Sequence, residues 1–352
     1  MALLDKIFRT AVQYKASDIY ITTGTKPILR INGDLIAIEE HPAFSKKMAE
    51  DYILEVLNEK QKAEFVKSLD LDFSLDVPGV SRFRVNLFVQ RKGIGATFRL
   101  IPENALSLDE LGLPEQLKQI CKASQGLVLV TGSTGSGKST TMASMVHQIN
   151  LESAKHIITV EDPIEFIHDN RKSIIEQREV GTHTLSFQKA LRSALREDPD
   201  VILVGEMRDL ETISLAITAA ETGHLVFATL HTNGASKSVD RIIDAFPTNQ
   251  QNQIRMQLAE SLKAVIWQSL MKTRDGNSRV AGLEIMINNT SVANMIRKNK
   301  THQLNSAIET GQKEGMQTMK KSITDLLEAG IIDEKTALEN IPEEIDTSSN
   351  LS

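Results

Sequence analysis

A single cysteine, Cys121, in 352 residues excludes an intramolecular disulfide and any multi-cysteine zinc site within the chain, and suits a reducing compartment. Eight histidines scattered along the sequence offer no ligand cluster in its place. No apolar run approaches the ~18 residues of a membrane-spanning helix, and Met1-Ala-Leu-Leu-Asp-Lys is charged too early for a secretory leader, so a cytoplasmic protein is expected. Aromatic residues make up only 4% of the chain and the net charge is −6, which gives little support for a basic, base-stacking surface and leaves room only for local basic patches; no nucleic-acid partner is expected. Repeats and low-complexity stretches are absent too. What remains, 41% hydrophobic and 24% charged residues, is an ordinary globular composition at a length that suits two domains.

The most informative segment present is Gly132-Ser133-Thr134-Gly135-Ser136-Gly137-Lys138-Ser139, followed by Thr140, which fits the phosphate-cradling pattern G-x-x-x-x-G-K-[S/T] at every fixed position. Glycines let successive backbone N–H groups turn onto phosphate oxygens, and the helix that follows presents its positive end to the same charge. Lys138 is expected to reach the β- and γ-phosphates of ATP, and Ser139 to place its hydroxyl on Mg²⁺. The flanks agree: Gly126 to Val130 reads as a buried strand, and Met142, Met145, Val146 and Ile149 recur at helical spacing.

Upstream, residues 1–100 read as a small α+β domain. Ile28 to Ile38 is a hairpin around Asn32-Gly33, Met48 to Phe65 reads as one helix, and Ser81 to Leu87 as a strand. The two-residue period of that strand puts Arg82 and Arg84 on one face and Phe83 and Val85 on the other; the arginine face fits either solvent or an anion. Residues 101–114, with two prolines and no sustained period, read as a linker. From residue 115 to 342 strands and helices alternate, which predicts an α/β unit with a mostly parallel sheet covered on both faces. Met316 to Ile332 reads as a packed helix, and residues 343–352 as a disordered acidic tail.

Three further segments carry chemistry. Val201-Ile-Leu-Val-Gly-Glu206 is an apolar strand ending in a carboxylate, as expected where an acid is delivered beside Mg²⁺ and water. His156 to Asp162 is another, leaving Glu161, Asp162 and Glu165 near its carboxyl end, where open α/β sheets bind ligands; any of these acids could order Mg²⁺ or take a proton from water. His224 and His231 bracket the strand Leu225 to Leu230 and are candidates for sensing the γ-phosphate.

Taken together, Gly132 to Thr140, Ile158-Thr-Val-Glu-Asp-Pro-Ile-Glu-Phe166, Ala194 to Asp200, Val204 to Asp209, Glu221 to His231 and Arg82-Phe-Arg-Val-Asn86 resemble the secretion ATPases of type IV pilus and type II secretion systems, nearly end to end. The resemblance implies a PAS-like N-terminal domain and a RecA-like P-loop ATPase domain assembled as a homohexamer. It implies a catalytic carboxylate at Glu165 or Glu161, a Walker B acid at Glu206, and arginines Arg82, Arg84 and Arg99 that approach the γ-phosphate when the first domain closes. It also implies pilus retraction and twitching motility, with the inner-membrane pilus platform protein, and a paralogous retraction ATPase, as partners. The four-cysteine insertion of the assembly branch is missing, which points to the retraction branch. Where that branch carries Ala-Ile-Arg-Asn-Leu-Ile, however, this chain has Ser291-Val-Ala-Asn-Met-Ile296, with Ala293 in place of arginine. An accessory retraction ATPase, a RecA-like nucleic-acid motor and a non-motor ATP-binding regulator are the alternatives.

Overall fold

In the computed structural model of the chain, residues 2–31, 33–101 and 105–342 are described. They form two compact units, one comprising the described residues up to 101 together with 165–167, the other residues 105–164 with 168–342.

The first unit contains α1 (Ala2–Gln13), β1 (Asp18–Thr22), β2 (Ile28–Ile31), β3 (Asp34–Ala37), α2 (Lys46–Glu55), α3 (Glu59–Ser68), β4 (Asp70–Val77), β5 (Ser81–Gln90) and β6 (Gly93–Ile101). Its six strands form one antiparallel sheet in the order β3-β2-β1-β6-β5-β4. Helix α1 packs through Leu4, Ile7, Phe8 and Ala11, the i, i+3, i+4, i+7 stripe of an amphipathic helix. Phe8 stacks 4.5 Å from Phe83 and meets Phe98 edge-on at 5.2 Å, so three rings from one helix and two strands fix the core. The alternation expected of Ser81 to Leu87 holds, with Phe83, Val85 and Leu87 buried.

The single helix expected over residues 48–65 is two helices. Asn58 interrupts it: its side chain accepts from the Gln61 N–H while the Gln61 side chain accepts from the Asn58 N–H, a reciprocal cap that starts α3 afresh. The hairpin β2–β3 is present, although Asn32 of its turn lies outside the described residues.

The second unit contains α4 (Glu115–Cys121), β7 (Gly126–Thr131), α5 (Lys138–Glu152), β8 (His156–Glu161), β9 (Ile174–Glu179), α6 (Phe187–Ala194), β10 (Val201–Val204), α7 (Leu210–Glu221), β11 (Leu225–Leu230), α8 (Ala235–Asp244), α9 (Thr248–Ser261), β12 (Leu262–Lys272), β13 (Arg279–Ile287), α10 (Thr290–Arg297), α11 (Leu304–Thr310), α12 (Met319–Glu328) and α13 (Glu334–Asn340). Seven strands run in the order β13-β12-β7-β11-β10-β8-β9, and every neighbouring pair is parallel except β12–β13.

The central strands are apolar without interruption because both faces are covered. Alternate residues then serve two cores. Leu127, Leu129, Ile202, Val204, Val226 and Ala228 pack with α7, α8 and α9 on one face, while Val128, Val130, Leu203 and Phe227 pack with α4 and α5 on the other. Leu108 and Leu113, in the stretch expected as linker, are buried in that second core, so from Ala105 the chain is part of this unit. Cys121 is buried there as well, and burial pushes its thiol pKa up to about 12, which makes it a packing group.

The helix expected over Met316 to Ile332 is shorter, α12, started by Thr318, whose hydroxyl accepts from the Lys321 N–H. Among the described residues no helix is long and apolar enough to cross a membrane. The acidic stretch 343–352 lies outside them.

Candidate functional site

Because β7, β11, β10 and β8 are adjacent and parallel, the segments that leave their carboxyl ends come together along one edge of the sheet. Those segments are the glycine loop after Thr131, His231 after β11, Glu206 two residues beyond β10, and Glu161, the last residue of β8.

The loop from Gly132 to Ser139 turns through left-handed backbone at Gly135 (φ 78°) and Gly137 (φ 87°), conformations that side chains rarely adopt. Gly137 is the cap from which α5 starts. Ser133, Thr134, Gly135 and Ser139 are exposed, Gly137 and Thr140 half-buried, and Ser136 and Lys138 buried. The Lys138 ammonium donates to the carbonyls of Gly132 and Ser133, each at 2.9 Å. Burial lowers its pKa, and the nearby Glu206 charge acts in the opposite direction. Ser136 Oγ is buried with no hydrogen-bond partner among the described residues.

Glu206 is held at both oxygens, Oε2 by Arg208 at 2.7 Å and Oε1 by His231 Nε2 at 3.2 Å. Burial acts to raise its pKa, but the Arg208 hydrogen bond, the His231 and Arg208 charges and the His231 hydrogen bond outweigh it and hold the carboxyl below its ordinary value. Arg208 also feels Asp162. Next along the chain, Asp209 caps α7 by accepting from the Thr212 N–H at 2.9 Å. Glu161 accepts from Thr159 Oγ1 at 2.7 Å and from Gln177 at 3.3 Å.

His224 does not join this group. It precedes β11, at the opposite edge of the sheet from His231, and six residues of strand separate the two by roughly 20 Å; its Nδ1 lies 2.9 Å from the Ala219 carbonyl, where it braces the end of α7.

Arg82, Arg84, Arg99 and Glu165 all belong to the first unit. There Arg82 lies 3.6 Å from Asp76, Arg84 lies 3.7 Å from Glu165, and Arg99 donates to Asp18 at 2.8 Å. The Asp18 hydrogen bond raises the Arg99 pKa further. Ala293 is 7% exposed in α10 and packs into the apolar core with Val292 and Ile296.

Two groups are additions to the residues expected from sequence. Arg208 stands two residues after Glu206 inside a segment already singled out, so its signal was the spacing. Glu179, 3% exposed at the end of β9, accepts from the Ile164 N–H at 3.0 Å and from Thr182 Oγ1 at 3.1 Å; it secures the backbone beside Glu165, and no local pattern marks it.

A family model described as "Type II/IV secretion system protein" matches residues 1–344. The chain belongs to that type II/IV secretion system protein family. Among members of the family it is 51% identical over 331 residues to a "Twitching motility protein" of Neisseria gonorrhoeae, covering 94% of this chain and 88% of the relative. It is 50% identical over 330 residues to a "Type IV pilus retractation ATPase PilT" of Pseudomonas aeruginosa, covering 93% and 95%. Its mixed α/β fold matches the crystal structure of the pilus retraction motor PilT with bound ADP at a TM-score of 0.90 and 44% identity, covering 96% of this chain and 97% of the other.

No group of three or more His, Cys, Asp or Glu side chains that could hold a metal ion occurs among the described residues. Mg²⁺ in nucleotide sites is held largely by phosphate oxygens and water, with one or two protein oxygens. Ser139, an exposed residue at the start of α5, and the Glu206 carboxylate are oxygen donors that fit that limited demand.

Proposed function

We propose that the chain is an ATP-hydrolysing motor that drives type IV pilus retraction. The observation that carries this reading is the convergence of the Lys138 loop and the Glu206–His231 pair at one edge of the parallel sheet, in a chain half-identical to a retraction ATPase over almost all its length. In this reading residues 115–342 are a RecA-like P-loop domain and residues 1–100 a PAS-like domain, six copies forming a cytoplasmic ring that reaches the inner membrane through the pilus platform protein.

Residues 132–140 hold the nucleotide, with Lys138 released from the Gly132 and Ser133 carbonyls to meet the phosphates. Ser139 and Glu206 are the groups that hold Mg²⁺, which when bound offsets phosphate charge. Glu165, or Glu161, takes the proton of the attacking water. His231 and Arg208 keep Glu206 ionised. Arg82, Arg84 and Arg99 add positive charge at the γ-phosphate on domain closure, an effect worth ~10³ to 10⁵ in rate where an arginine finger is supplied to other NTPases.

The test has two parts. Purified protein is expected to turn over ATP in the presence of Mg²⁺ and the Lys138→Ala variant to lose that turnover. In a strain lacking the gene, wild-type protein is expected to restore twitching, and Lys138→Ala to leave surface pili in excess without movement. Absence of pili in the deletion strain would instead mean assembly, and strong stimulation of hydrolysis by single-stranded DNA would mean a nucleic-acid motor.

A further inference from the structure

The phosphate loop is held from below by a residue distant in sequence. Strand β12 lies beside β7 with Trp267 opposite Thr131, so Gln268 comes level with the start of the loop. The approach is close: a Cβ on Gly132 would fall 2.3 Å from the Gln268 carbonyl oxygen, and one on Gly137 would fall 2.7 Å from its Nε2. Gln268 is 2% exposed and its amide is used at both ends. Nε2 donates to the Ser136 carbonyl at 2.7 Å, and Oε1 accepts from Thr141 Oγ1 at 2.7 Å.

These two partners flank Lys138, one in the loop and one in the first turn of α5. The first bond has a directional consequence. The Ser136–Gly137 peptide is trans, since the only cis bond among the described residues is Asp162–Pro163. In a trans peptide the C=O and N–H point in opposite directions. Pinning the Ser136 carbonyl onto Gln268 therefore turns the Gly137 N–H away from β12, and N–H groups of such loops are what an anion meets.

We propose that Gln268 is a positioning residue for the nucleotide site, one that sets the anion-binding conformation of the phosphate loop through Ser136 and Thr141 without touching the nucleotide. The inference rests on the reading of residues 132–140 as the nucleotide site. A donor is required on the Ser136 side and an acceptor on the Thr141 side, which an amide supplies in a fixed order. A carboxylic acid supplies the same pair only while protonated.

Gln268→Glu provides the test. The affinity of the purified protein for a fluorescent ADP analogue with Mg²⁺ is measured between about pH 9 and about pH 5.5, beside the parent protein. At the upper end the ionised Glu cannot donate to the Ser136 carbonyl, and a loss of about tenfold or more relative to the parent is expected. Burial raises a carboxyl pKa, so the deficit should shrink as pH falls and the acid becomes neutral. A purely structural defect would not recover in that direction. If Gln268→Glu does not fold, Thr141→Val, which removes one of the two anchors, should still weaken ADP binding by about threefold or more. Binding within twofold of the parent at high pH, a deficit that ignores pH, or an unaffected Thr141→Val would overturn the proposal. Lys138→Ala separates the two levels: unchanged ADP binding there would remove the nucleotide site itself, whereas lost binding there with intact binding in Gln268→Glu would remove only the role of Gln268.

Discussion

His231 Nε2 lies 3.2 Å from Glu206 Oε1 and so bridges the loops that leave β11 and β10. With Arg208 at 2.7 Å on the other oxygen, the acid is kept ionised although it is only partly solvated. Two consequences are measurable. Glu206→Gln is expected to lower kcat by about 10² to 10³ while ADP affinity changes by no more than a few-fold. Arg208→Ala removes the partner that contributes most to holding the Glu206 pKa down, so the acid limb of the kcat/KM profile should move to higher pH. An unmoved limb would mean that Glu206 is not the group whose ionisation matters.

Lys138 is a charge placed where the free protein gains little from it. The residue is 8% exposed, and burial lowers the pKa of its ammonium. The unfolded chain binds that proton more tightly than the folded one, so the charge opposes folding at neutral pH. Lys138→Met is therefore expected to leave the melting temperature of the free protein within about 4 °C of the parent, or to raise it. The stabilisation that ADP with Mg²⁺ confers on the parent should vanish. A large drop in the free protein's melting temperature would show that the bonds to Gly132 and Ser133 stabilise the loop more than burial costs.

Much of this site was readable because it is local. The eight residues from Gly132 to Ser139 are contiguous, and the parallel sheet was legible because strands covered on both faces lose their alternation. The polarity of that sheet then sorts the histidines, which sequence left equivalent. Both bracket β11, but only the carboxyl end of a parallel strand faces the ligand edge, so His231 meets Glu206 and His224 does not. Gln268 was not legible, because it reaches Ser136 only after the chain has crossed the sheet and returned as β12. The break at Asn58 was missed for a different reason: apolar residues continue at helical spacing on both sides, and the reciprocal cap with Gln61 decides the boundary.

Glu179 makes a prediction about kcat without one about binding. Its buried carboxylate accepts from the Ile164 N–H and Thr182 Oγ1, so Glu179→Leu leaves a backbone donor beside Glu165 without its acceptor. A cost of about 1–3 kcal/mol in stability is expected. Measured below the new melting temperature, kcat should fall while ADP affinity stays near the parent value. Equal losses in both would assign Glu179 to the general integrity of the unit.

His168 gives the clearest pH signature outside the candidate site. Burial, reinforced by the His147 charge, lowers its pKa from 6.5 to about 4. The folded state thus favours the neutral ring, and this contribution is complete above pH 6.5 and lost as pH falls toward 4. By about pH 5 the parent should have lost about 2 kcal/mol from this residue alone. His168→Leu keeps the backbone bond that residue 168 donates to Gln177 but has no proton to take up. Urea midpoints measured at about pH 7 and about pH 5 should therefore fall less in His168→Leu than in the parent. Equal falls would place the acid sensitivity of this unit on its carboxylates, since those titrate in both proteins and His168 in only one.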